Sequence, residues 1–546
     1  MTTSTPYPGV YVQEVAGGVR TITGVATSIT AFLGRTRRGP VDRATVVDNF
    51  ADYQRIFGGL SPDSTVSSAV RDFFANGGGQ ALVVRVTPGT VKATPARLTR
   101  PAATPGGKDT ADATTADTTA ADTTAAADTG TDLVLVAAEP GSWANQLTAA
   151  VVYDSTVDLT EVATRLGTTA DELFNLVVTD GATGQQETIR NVTVTAGARR
   201  LDQVLQAESR LVRVSDAPGL PAQRPRETTA GQPLAVAEAD AGTDGGDLTE
   251  DDYTAPALQA THGGLYALDQ ADLFNLLCIP PPVAGGDTPP GVYRAALAYC
   301  VRRRAVLIVD PPGGMTVATA ATALSGLQLT GPDARNAALY YPRLLQADPA
   351  AGGRLGAFPA CGAIAGVIAR TDASRGVWKA PAGLDAALAG AADLAVGLTD
   401  AETGELNPLG VNCLRSFPGA GLVVWGARTL RGADQLADEY KYLPVRRLAL
   451  HIEESLYRGT QWAVFEPNDE PLWAQIRLNL GAFMQGLFRQ GAFQGSTARD
   501  AYFVKCDRET TTADDVNLGR VNVVVGFAPL RPAEFVILQI QQIAQA

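Results

Sequence analysis

The stretch that decides the fold is Ala305-Val306-Leu307-Ile308-Val309, a run of apolar residues that ends at Asp310-Pro311-Pro312. A short apolar run that stops at prolines is typical of a buried β-strand. The preceding residues, 292–303, repeat apolar side chains at helical spacing, and residues 273–279 form an earlier apolar run. Strand, helix and strand in alternation predict an α/β core with a mixed sheet and flanking helices.

The same alternation continues toward the C-terminus. Residues 421–425 predict another strand, and residues 443–457 predict a long helix whose apolar side chains share one face. A second helix is predicted to begin at Pro471, because proline is favoured in a first helical turn and Asn468-Asp469-Glu470 supplies candidate capping side chains. The C-terminal part of the chain therefore also predicts helices and strands together.

Two low-complexity stretches divide the N-terminal half. Residues 91–132 contain a Thr/Ala/Asp tract, and residues 217–260 are rich in proline, glycine, alanine and acidic residues. Such segments bury too little apolar surface to offset the entropy lost on ordering, so both are predicted to be solvated linkers. The strand-like runs in residues 133–216 predict an inserted β-rich domain on the outside of the molecule.

The first residues of the chain form a candidate arm. Pro6-Tyr7-Pro8-Gly9 favours an extended backbone, and Gly17 and Gly18 form a candidate hinge. An isolated strand is unstable, so a strand between these points needs the edge of a sheet. The residues of this predicted strand are Val10, Tyr11, Val12, Gln13, Glu14 and Val15.

The last residues form a second candidate arm. Residues 521–527 predict a strand, and Pro529 and Pro532 follow it as candidate hinges. Two apolar strands at the ends of a chain suit strand exchange between subunits; the alternative is that each strand completes a sheet of its own domain. The residues of the final predicted strand are Phe535, Val536, Ile537, Leu538, Gln539 and Ile540.

The predicted organisation has eight segments. The core consists of a first part, a middle α/β domain and a C-terminal domain, and the arms and linkers surround it. The boundaries are 1–20 for the N-terminal arm, 21–90 for the first part of the core, 91–132 for a linker, 133–216 for the inserted domain, 217–260 for a linker, 261–430 for the middle domain, 431–528 for the C-terminal core domain and 529–546 for the C-terminal arm.

Composition excludes several classes of function. The chain has 546 residues, of which 45% are hydrophobic, so it can bury a sizeable core. The net charge of −13 argues against nucleic acid binding, which needs a basic face. The chain has no apolar run of about 18 residues and no apolar stretch at its start. These features predict assembly in the cytoplasm without a signal peptide, and no direct membrane insertion.

The residue types that carry catalysis are scarce. The five cysteines are widely spaced and lie in apolar runs, so they are predicted to be core residues and not a disulfide or zinc framework. Neither glycine cluster, 77–79 nor 313–314, has the spacing of a phosphate-binding loop. With only His262 and His451 available as histidines, we expect no catalytic residue, no metal, no cofactor and no enzymatic activity.

A series of motifs in a fixed order links these elements to a known family. Each motif is weak alone, but the ordered set is specific, and with it the chain resembles the phage tail sheath family. The motifs include Pro8-Gly9-Val10-Tyr11-Val12-Gln13-Glu14, Gly362-Ala363-Ile364-Ala365-Gly366-Val367-Ile368, Val424-Trp425-Gly426-Ala427-Arg428-Thr429-Leu430, Val464-Phe465-Glu466-Pro467-Asn468 and Pro529-Leu530-Arg531-Pro532-Ala533-Glu534-Phe535.

The resemblance implies a structural function. Sheath subunits stack as hexameric rings in a helix around an inner tube, and they contract from a metastable extended state to drive the tube through a target envelope. The implied partners are further copies of the chain, the inner tube protein, and baseplate and terminal cap proteins. The single-chain form resembles the sheaths of phage tails, pyocin-like particles and extracellular injection systems, so we expect a tail or tail-like particle that is released on lysis.

The resemblance also gives the two C-terminal helices a candidate role on the inner surface. Basic side chains there would hold an acidic tube weakly. The alternative is that these side chains pair within the chain, with acids such as Glu453. The candidate inner-tube contacts are Lys441, Arg446, Arg447, Arg477 and Arg489.

Two other classes of function compete with the sheath. The chain could form another kind of self-assembling shell or filament, which electron microscopy would distinguish from hollow tubes. An enzyme with an α/β core is the third class, and the scarcity of histidine and the missing nucleotide loops argue against it.

Overall fold

The computed structural model describes residues 21–101, 132–154, 158–229, 231–348 and 351–539. The predicted N-terminal strand, with its hinge at Gly17 and Gly18, lies outside the described residues, and so does Ile540. The described chain forms one large sheet covered by helices, a smaller antiparallel domain inserted into it, and a helical C-terminal part.

The elements follow in chain order. Residues 21–101 contain β1 (Thr30–Gly34), β2 (Thr45–Val47), α1 (Phe50–Phe57), α2 (Thr65–Ala75), β3 (Ala81–Arg85) and β4 (Arg97–Thr99). The next group is β5 (Leu135–Ala137), β6 (Leu147–Val152), α3 (Thr160–Leu166), β7 (Phe174–Asp180), β8 (Gln186–Val192), α4 (Leu201–Glu208), β9 (Val212–Val214) and β10 (Leu234–Val236).

The remaining elements build the rest of the core. The middle of the chain has α5 (Glu250–Thr254), α6 (Pro256–Thr261), β11 (Leu276–Cys278), α7 (Pro290–Arg302), β12 (Val306–Val309), α8 (Ala320–Leu327), β13 (Ala337–Tyr341), β14 (Leu344–Asp348), β15 (Arg354–Phe358), α9 (Cys361–Arg375), β16 (Asp393–Leu394), α10 (Asp400–Leu406), β17 (Val411–Phe417) and β18 (Gly421–Trp425). The C-terminal part has α11 (Leu443–Gly459), α12 (Glu470–Arg489), α13 (Ala498–Ala501), β19 (Tyr502–Lys505), α14 (Ala513–Asn517) and β20 (Val524–Phe527).

The large sheet has eight strands in the order β18-β17-β13-β12-β11-β1-β3-β2. Six neighbouring strands run parallel, and β18 and β2 pair antiparallel at the two edges. The apolar run that decides the fold is β12, in the middle of this sheet. Leu307 and Val309 face a core under α7, whereas Val306 and Ile308 face a second core under α9. The predicted mixed sheet with flanking helices is confirmed.

The order of the strands does not follow the predicted segment boundaries. β1 and β3, from residues 21–90, lie in the same sheet as β11, β12 and β13 of the middle domain. The first and middle segments therefore share one sheet and two cores. Local apolar patterns predicted β11 and β12 but contained no information about their neighbours in the sheet.

The inserted domain is a seven-stranded sheet in the order β8-β7-β6-β10-β4-β5-β9. Every strand pair in it is antiparallel, and Trp143, Phe174 and Leu205 lie in its separate core. β10 comes from residues 217–260 and occupies the centre of the sheet, and β4 comes from residues 91–132. The prediction that these two stretches are linkers throughout was wrong. The average composition of a long stretch does not reveal a strand of only three residues.

Glycine explains one of the family motifs in α9. A Cβ at Gly362 would lie 2.0 Å from the carbonyl oxygen of Ala69, and a Cβ at Gly366 would lie 2.4 Å from that of Phe73. Both of these oxygens belong to α2. The absence of side chains at the two glycines lets α9 and α2 cross with their backbones in contact, which keeps both helices against the large sheet.

The two long C-terminal helices pack against each other. Leu448 and Ile452 of α11 share a cluster with Met484 and Leu487 of α12. The predicted cap of α12 is confirmed, since the Asp469 carboxylate accepts a hydrogen bond from the backbone N–H of Leu472 at 3.3 Å. No helix in the described part of the chain is long and apolar enough to cross a membrane.

Candidate assembly interface

A two-stranded sheet, β19 with β20, lies on the surface of the C-terminal part. The strands are antiparallel, with Tyr502 opposite Phe527 and Lys505 opposite Val524. On one face, Tyr502 packs into the cluster formed by α11 and α12. On the other face, Phe503 is 50% exposed and Val524 is 45% exposed. This sheet is therefore apolar on both faces but covered on only one.

Both long edges of this sheet are open among the described residues, because neither β19 nor β20 pairs with a further strand there. A two-stranded sheet is marginally stable at best, and open edges present unpaired N–H and C=O groups. Each edge of this sheet therefore lacks a partner strand among the described residues.

The C-terminal arm leaves the body next to this sheet. Its first residues are held: the backbone N–H of Gln494 donates to the carbonyl of Ala528 at 2.9 Å, and Phe493 forms a β-bridge with Pro529. Pro529 is thus fixed on the body. Its predicted role as a hinge of the arm stays a prediction, since the bridge describes only the single chain in this conformation.

Beyond Glu534 the arm is exposed. Phe535, Val536, Ile537 and Leu538 are 73%, 80%, 84% and 82% exposed. The described part of the predicted final strand, residues 535–539, forms no strand in the isolated chain. Four consecutive large apolar side chains in water are unfavourable, so this segment is typical of a surface that a partner covers.

The base of the arm is held by a buried ion pair. The guanidinium of Arg428 is fully buried, and it donates to Glu534 through Nε at 2.7 Å and through Nη2 at 2.6 Å. Burial lowers the pKa of Arg428, but the hydrogen bonds and charge of Glu534 outweigh that effect and leave the pKa raised. Arg428 is therefore charged at any physiological pH, and its charge is balanced by a residue of the arm.

A cavity of about 1100 Å³ lies beside the base of the arm. Trp378 and Trp425 give it aromatic surface, and Arg531 and Phe535 of the arm form part of its wall. The arm thus borders this cavity without filling it.

The structure separates the five candidate tube contacts. Arg447 is buried, and its guanidinium lies 2.5 Å from the carboxylate of Asp372, whose side chain is also buried. It cannot reach a tube in this conformation, so its assignment as a tube contact was wrong. The amphipathic pattern of α11 left the direction of Arg447 open, and the distant Asp372 determines it.

Three of the other candidates pair within the chain. The ammonium of Lys441 lies 2.7 Å from Asp434, and the guanidinium of Arg446 lies 3.4 Å from Glu453, the pairing considered as the alternative. The guanidinium of Arg477 lies 2.7 Å from Glu470, which is also on α12. Arg489 is exposed at the end of α12 and forms no ion pair among the described residues.

Arg428 and Glu534 are the residues that the sequence analysis missed. Both stand in quoted motifs, but 106 positions separate them along the chain. A lone arginine and a lone glutamate at that separation carry no local pattern. The sequence did contain one signal: Arg428 and Glu534 each lie in one of the motifs that carry the resemblance to the family.

The described residues also carry little chemistry. No group of three or more His, Cys, Asp or Glu side chains in the described ranges could hold a metal ion. All five cysteines are buried and free, which confirms their predicted place in the core. Burial lowers the pKa of His451 to about 4, so this histidine is neutral near pH 7 and packs near Phe483.

Comparison with known proteins identifies the family. Residues 247–430 match the phage tail sheath protein central domain, and residues 437–543 match the phage tail sheath C-terminal domain. Together these matches span more than half of the 546 residues. The chain belongs to the phage tail sheath family. It is a structural protein and not an enzyme.

Curated relatives of the sheath family match over a shorter stretch. The tail sheath protein of Vibrio phage KVP40 is 26% identical over 181 residues, which is 33% of this chain and 26% of that protein. The tail sheath protein of Enterobacteria phage T4 is 24% identical over the same shares. The chain thus aligns with about a quarter of the length of these two phage proteins.

Solved sheath structures match over almost the whole chain. The sheath of the extracellular contractile injection system PVC in its contracted state is 23% identical, covers 99% of both chains and has a TM-score of 0.56. The contracted helical sheath of the anti-feeding prophage is 24% identical, covers 99% of this chain and all of that chain, and also has a TM-score of 0.56. The sheath tail protein of Desulfitobacterium hafniense, at 14% identity, has the same TM-score and covers 96% of this chain and 100% of its own. These similarities show the shared sheath fold.

Proposed function

We propose that this chain is the subunit of a contractile sheath that polymerises as hexameric rings in a helix around an inner tube. In this proposal the sheath contracts from a metastable extended state and drives the tube through a target envelope. The observation that carries the proposal is the exposed apolar arm, Phe535 to Leu538, beside an open two-stranded sheet. The whole chain is similar to contracted sheath structures along almost its entire length, and this similarity supports the same function.

The energetics of the arm favour exchange between subunits. Each large apolar side chain gains about 1.5–3 kcal/mol when it moves from water into a core. In the isolated chain the four apolar residues of the arm gain almost none of this, since each is at least 73% exposed. Burial in a neighbouring subunit would release that free energy and offset the entropy lost when the arm becomes ordered.

The order of side chains indicates the kind of site that receives the arm. Neighbouring residues of a strand point to opposite faces, so Phe535 and Ile537 share one face while Val536 and Leu538 share the other. Both faces are apolar, as in strands that are buried on both sides. The receiving site therefore offers apolar surface to both faces of the arm.

The β19–β20 sheet is the proposed acceptor. It has two open edges, and the chain has two candidate arm strands, residues 10–15 and the segment that begins at Phe535. Backbone hydrogen bonds at an edge form with any side chain, and the apolar Phe503 and Val524 would lie beside the side chains that an added strand presents on the same face. One N-terminal strand and one C-terminal strand from neighbouring subunits would complete a four-stranded sheet.

Arms of this kind keep a lattice connected during contraction. During contraction the body of each subunit moves relative to its neighbours, while the exchanged strands stay paired in the same sheet. The N-terminal hinge is proposed at Gly17 and Gly18, which lie outside the described residues. The structure of the subunit itself need not change, only the direction in which the arms leave it.

On the inner surface, Arg489 remains the best candidate among the five basic residues. Lys441, Arg446 and Arg477 already have acidic partners, which reduces their attraction for another acid. An exposed ion pair contributes at most about 1 kcal/mol, which suits a tube that has to slide. Charge reversal in the variant Arg489→Glu should weaken co-assembly with the inner tube protein and leave the empty sheath able to form.

The other partners follow from the family. We propose baseplate and terminal cap proteins as partners at the two ends of the sheath; one similar structure is the baseplate of the anti-feeding prophage. The particle would be a phage tail or tail-like particle, assembled in the cytoplasm. A different self-assembling shell is the alternative, and particle shape decides between them.

Electron microscopy of the purified full-length chain, with and without Leu538→Asp, tests this proposal. Wild type should form hollow tubes, and Leu538→Asp should remain folded but form none, because a buried charge cannot be accommodated in the acceptor. Leu355→Asp is the matched control, since it places the same charge on a leucine of β15 that is 58% exposed. Closed shells or flat sheets of wild type, or tubes of Leu538→Asp, would refute the proposal.

A further inference from the structure

Arg428 is the largest side chain that is completely buried in the described chain. Besides Glu534, its guanidinium donates through Nη1 to the carbonyl of Asn407 at 2.8 Å, to the carbonyl of Gly432 at 3.2 Å and to the carboxylate of Asp434 at 3.0 Å. Three segments thus meet at one cation: the end of α10 at Asn407, the loop that holds Gly432 and Asp434, and the arm at Glu534. A buried charge is stable only where it is fully paired and hydrogen-bonded, so all three segments depend on this arrangement.

The backbone around Arg428 is held as firmly as its side chain. The buried amide of Asn412 accepts from the backbone N–H of Arg428 at 2.6 Å and donates to its carbonyl at 2.8 Å. A Cβ at Gly432 would lie 2.7 Å from the Cβ of Arg428, so only glycine lets the chain fold this closely over the side chain. The guanidinium is therefore oriented before the arm reaches it.

Of the two acids at Arg428, Glu534 makes the stronger contact. Its side chain is 15% exposed, and both carboxylate oxygens accept from Arg428. The phenol of Tyr442 also donates to Glu534 at 3.1 Å. Asp434 is 49% exposed, and the ammonium of Lys441 lies 2.7 Å from Asp434 and 3.9 Å from Glu534. Without Glu534, Arg428 would keep two backbone carbonyls, and the partly solvated Asp434 would be its only acidic partner among the described residues.

We propose that the Arg428–Glu534 ion pair is the fixed anchor point of the C-terminal arm. In this proposal, the residues up to and including Glu534 are part of the fold of their own subunit. The exchangeable strand begins at Phe535. This inference rests on the proposed strand exchange and adds where the exchanged segment begins and what sets its direction. Two parallel N–H···O bonds fix the orientation of a carboxylate as well as its position.

The anchor changes the expected pivot of the arm. Pro529 and Pro532 precede Glu534, so they lie within the held segment and cannot act as the point of rotation. The first residue free to rotate is Phe535. Arg428 and Glu534 act as positioning residues, because they aim the exchanged strand without contacting the acceptor sheet in the same chain.

The test compares full-length variants by hydrogen exchange and electron microscopy. Exchange is measured in the Leu538→Asp background, where the chain should stay unassembled. There, the amides of Gln494 and Ala528, which hydrogen-bond at the base of the arm, should be protected, and the amides from residue 536 onward should not be. Adding Glu534→Gln should increase the exchange rate of the Gln494 and Ala528 amides by about 10-fold or more, because a buried ion pair that holds the arm is lost. Asp434→Asn is the matched control and should change that rate by less.

A second measurement separates positioning from simple stabilisation. Arg428→Lys keeps the positive charge but cannot make two parallel bonds. Otherwise wild-type chains with Arg428→Lys or with Glu534→Gln should keep the circular dichroism of a folded body at the assembly temperature, although with a lower denaturation midpoint, yet form few or no regular tubes. If Glu534→Gln fails to fold, Arg428→Lys decides the question.

The outcomes distinguish the two proposals. Unchanged exchange of the Gln494 and Ala528 amides in Glu534→Gln, or normal tubes from both Arg428→Lys and Glu534→Gln, would overturn the anchor. Tubes from Leu538→Asp would instead overturn strand exchange, and the exchange data would still report whether Glu534 holds the arm to its own body.

Discussion

The inserted domain and the C-terminal arm are both extensions of the large sheet, and buried arginines hold both of them. Arg38 lies 3.3 Å from Asp180 of the inserted domain, and Arg85 donates to the carbonyls of Gly39 and Pro140 at 3.0 and 2.8 Å. Arg428 likewise holds the arm to the body, through its ion pair with Glu534. The two extensions differ in what lies beyond the arginine.

Beyond Arg38 and Arg85, the chain builds seven strands around a core of its own. Beyond Glu534, it exposes consecutive apolar side chains that form no core. A segment with its own core needs no partner, whereas a bare apolar strand has to find one. With the proposed function, we therefore expect the arm to serve the lattice and the inserted domain to be dispensable for it.

The largest expected effect is at the arm. Arg428→Ala should lower the free energy of unfolding by about 3–5 kcal/mol, because it leaves the Glu534 charge and two backbone carbonyls without their donor. Urea denaturation of the variant checks this, with Arg489→Ala as the control, which should change the free energy by less than about 0.5 kcal/mol. Similar losses of unfolding free energy in Arg428→Ala and Arg489→Ala would mean that the buried arginine contributes no more to stability than an exposed one.

The next effect tests the independence of the inserted domain. Leu234→Ala should cost about 2–5 kcal/mol of the stability of that domain, since Leu234 is 1% exposed in the central strand β10. Tubes should still form in electron micrographs. Loss of the tubes would break the comparison, because it would make the inserted domain part of the lattice.

A smaller effect is expected at the junction of the inserted domain. Arg38→Ala should cost about 1–3 kcal/mol, because Asp180 keeps hydrogen bonds from the N–H of Ala182 and the hydroxyl of Thr183 after its cation is lost. Denaturation monitored by the fluorescence of Trp143, which lies beside Arg38, would report the change. A cost equal to that of Arg428→Ala would contradict the difference drawn between the two junctions.

The smallest effect is expected from removing the Thr/Ala/Asp tract. Deletion of residues 110–130 should leave both tube formation and the denaturation midpoint unchanged, because the composition of this tract offers little apolar surface. Tube counts and denaturation curves of the deletion variant and wild type should coincide. Failure of the deletion variant to polymerise would give the tract a role in assembly.

What the sequence by itself determined is local. The apolar run of β12, the one-sided apolar pattern of α11 and the cap at Asp469 each depend on residues within a few positions of one another, and the structure has all three. Local spacing is enough for such features because backbone hydrogen bonds and helix caps form between near neighbours. The apolar residues after Pro532 also identified the arm before any contact was known.

Only the tertiary structure decided which distant groups meet. Arg447 pairs with Asp372 and Arg428 pairs with Glu534, although neither partner is near in the chain. The three residues of β10 become a central strand because β6 and β4 flank them. A charge or a short apolar run has many possible partners along 546 residues, and the burial of one particular pair inside the folded chain is what selects among them.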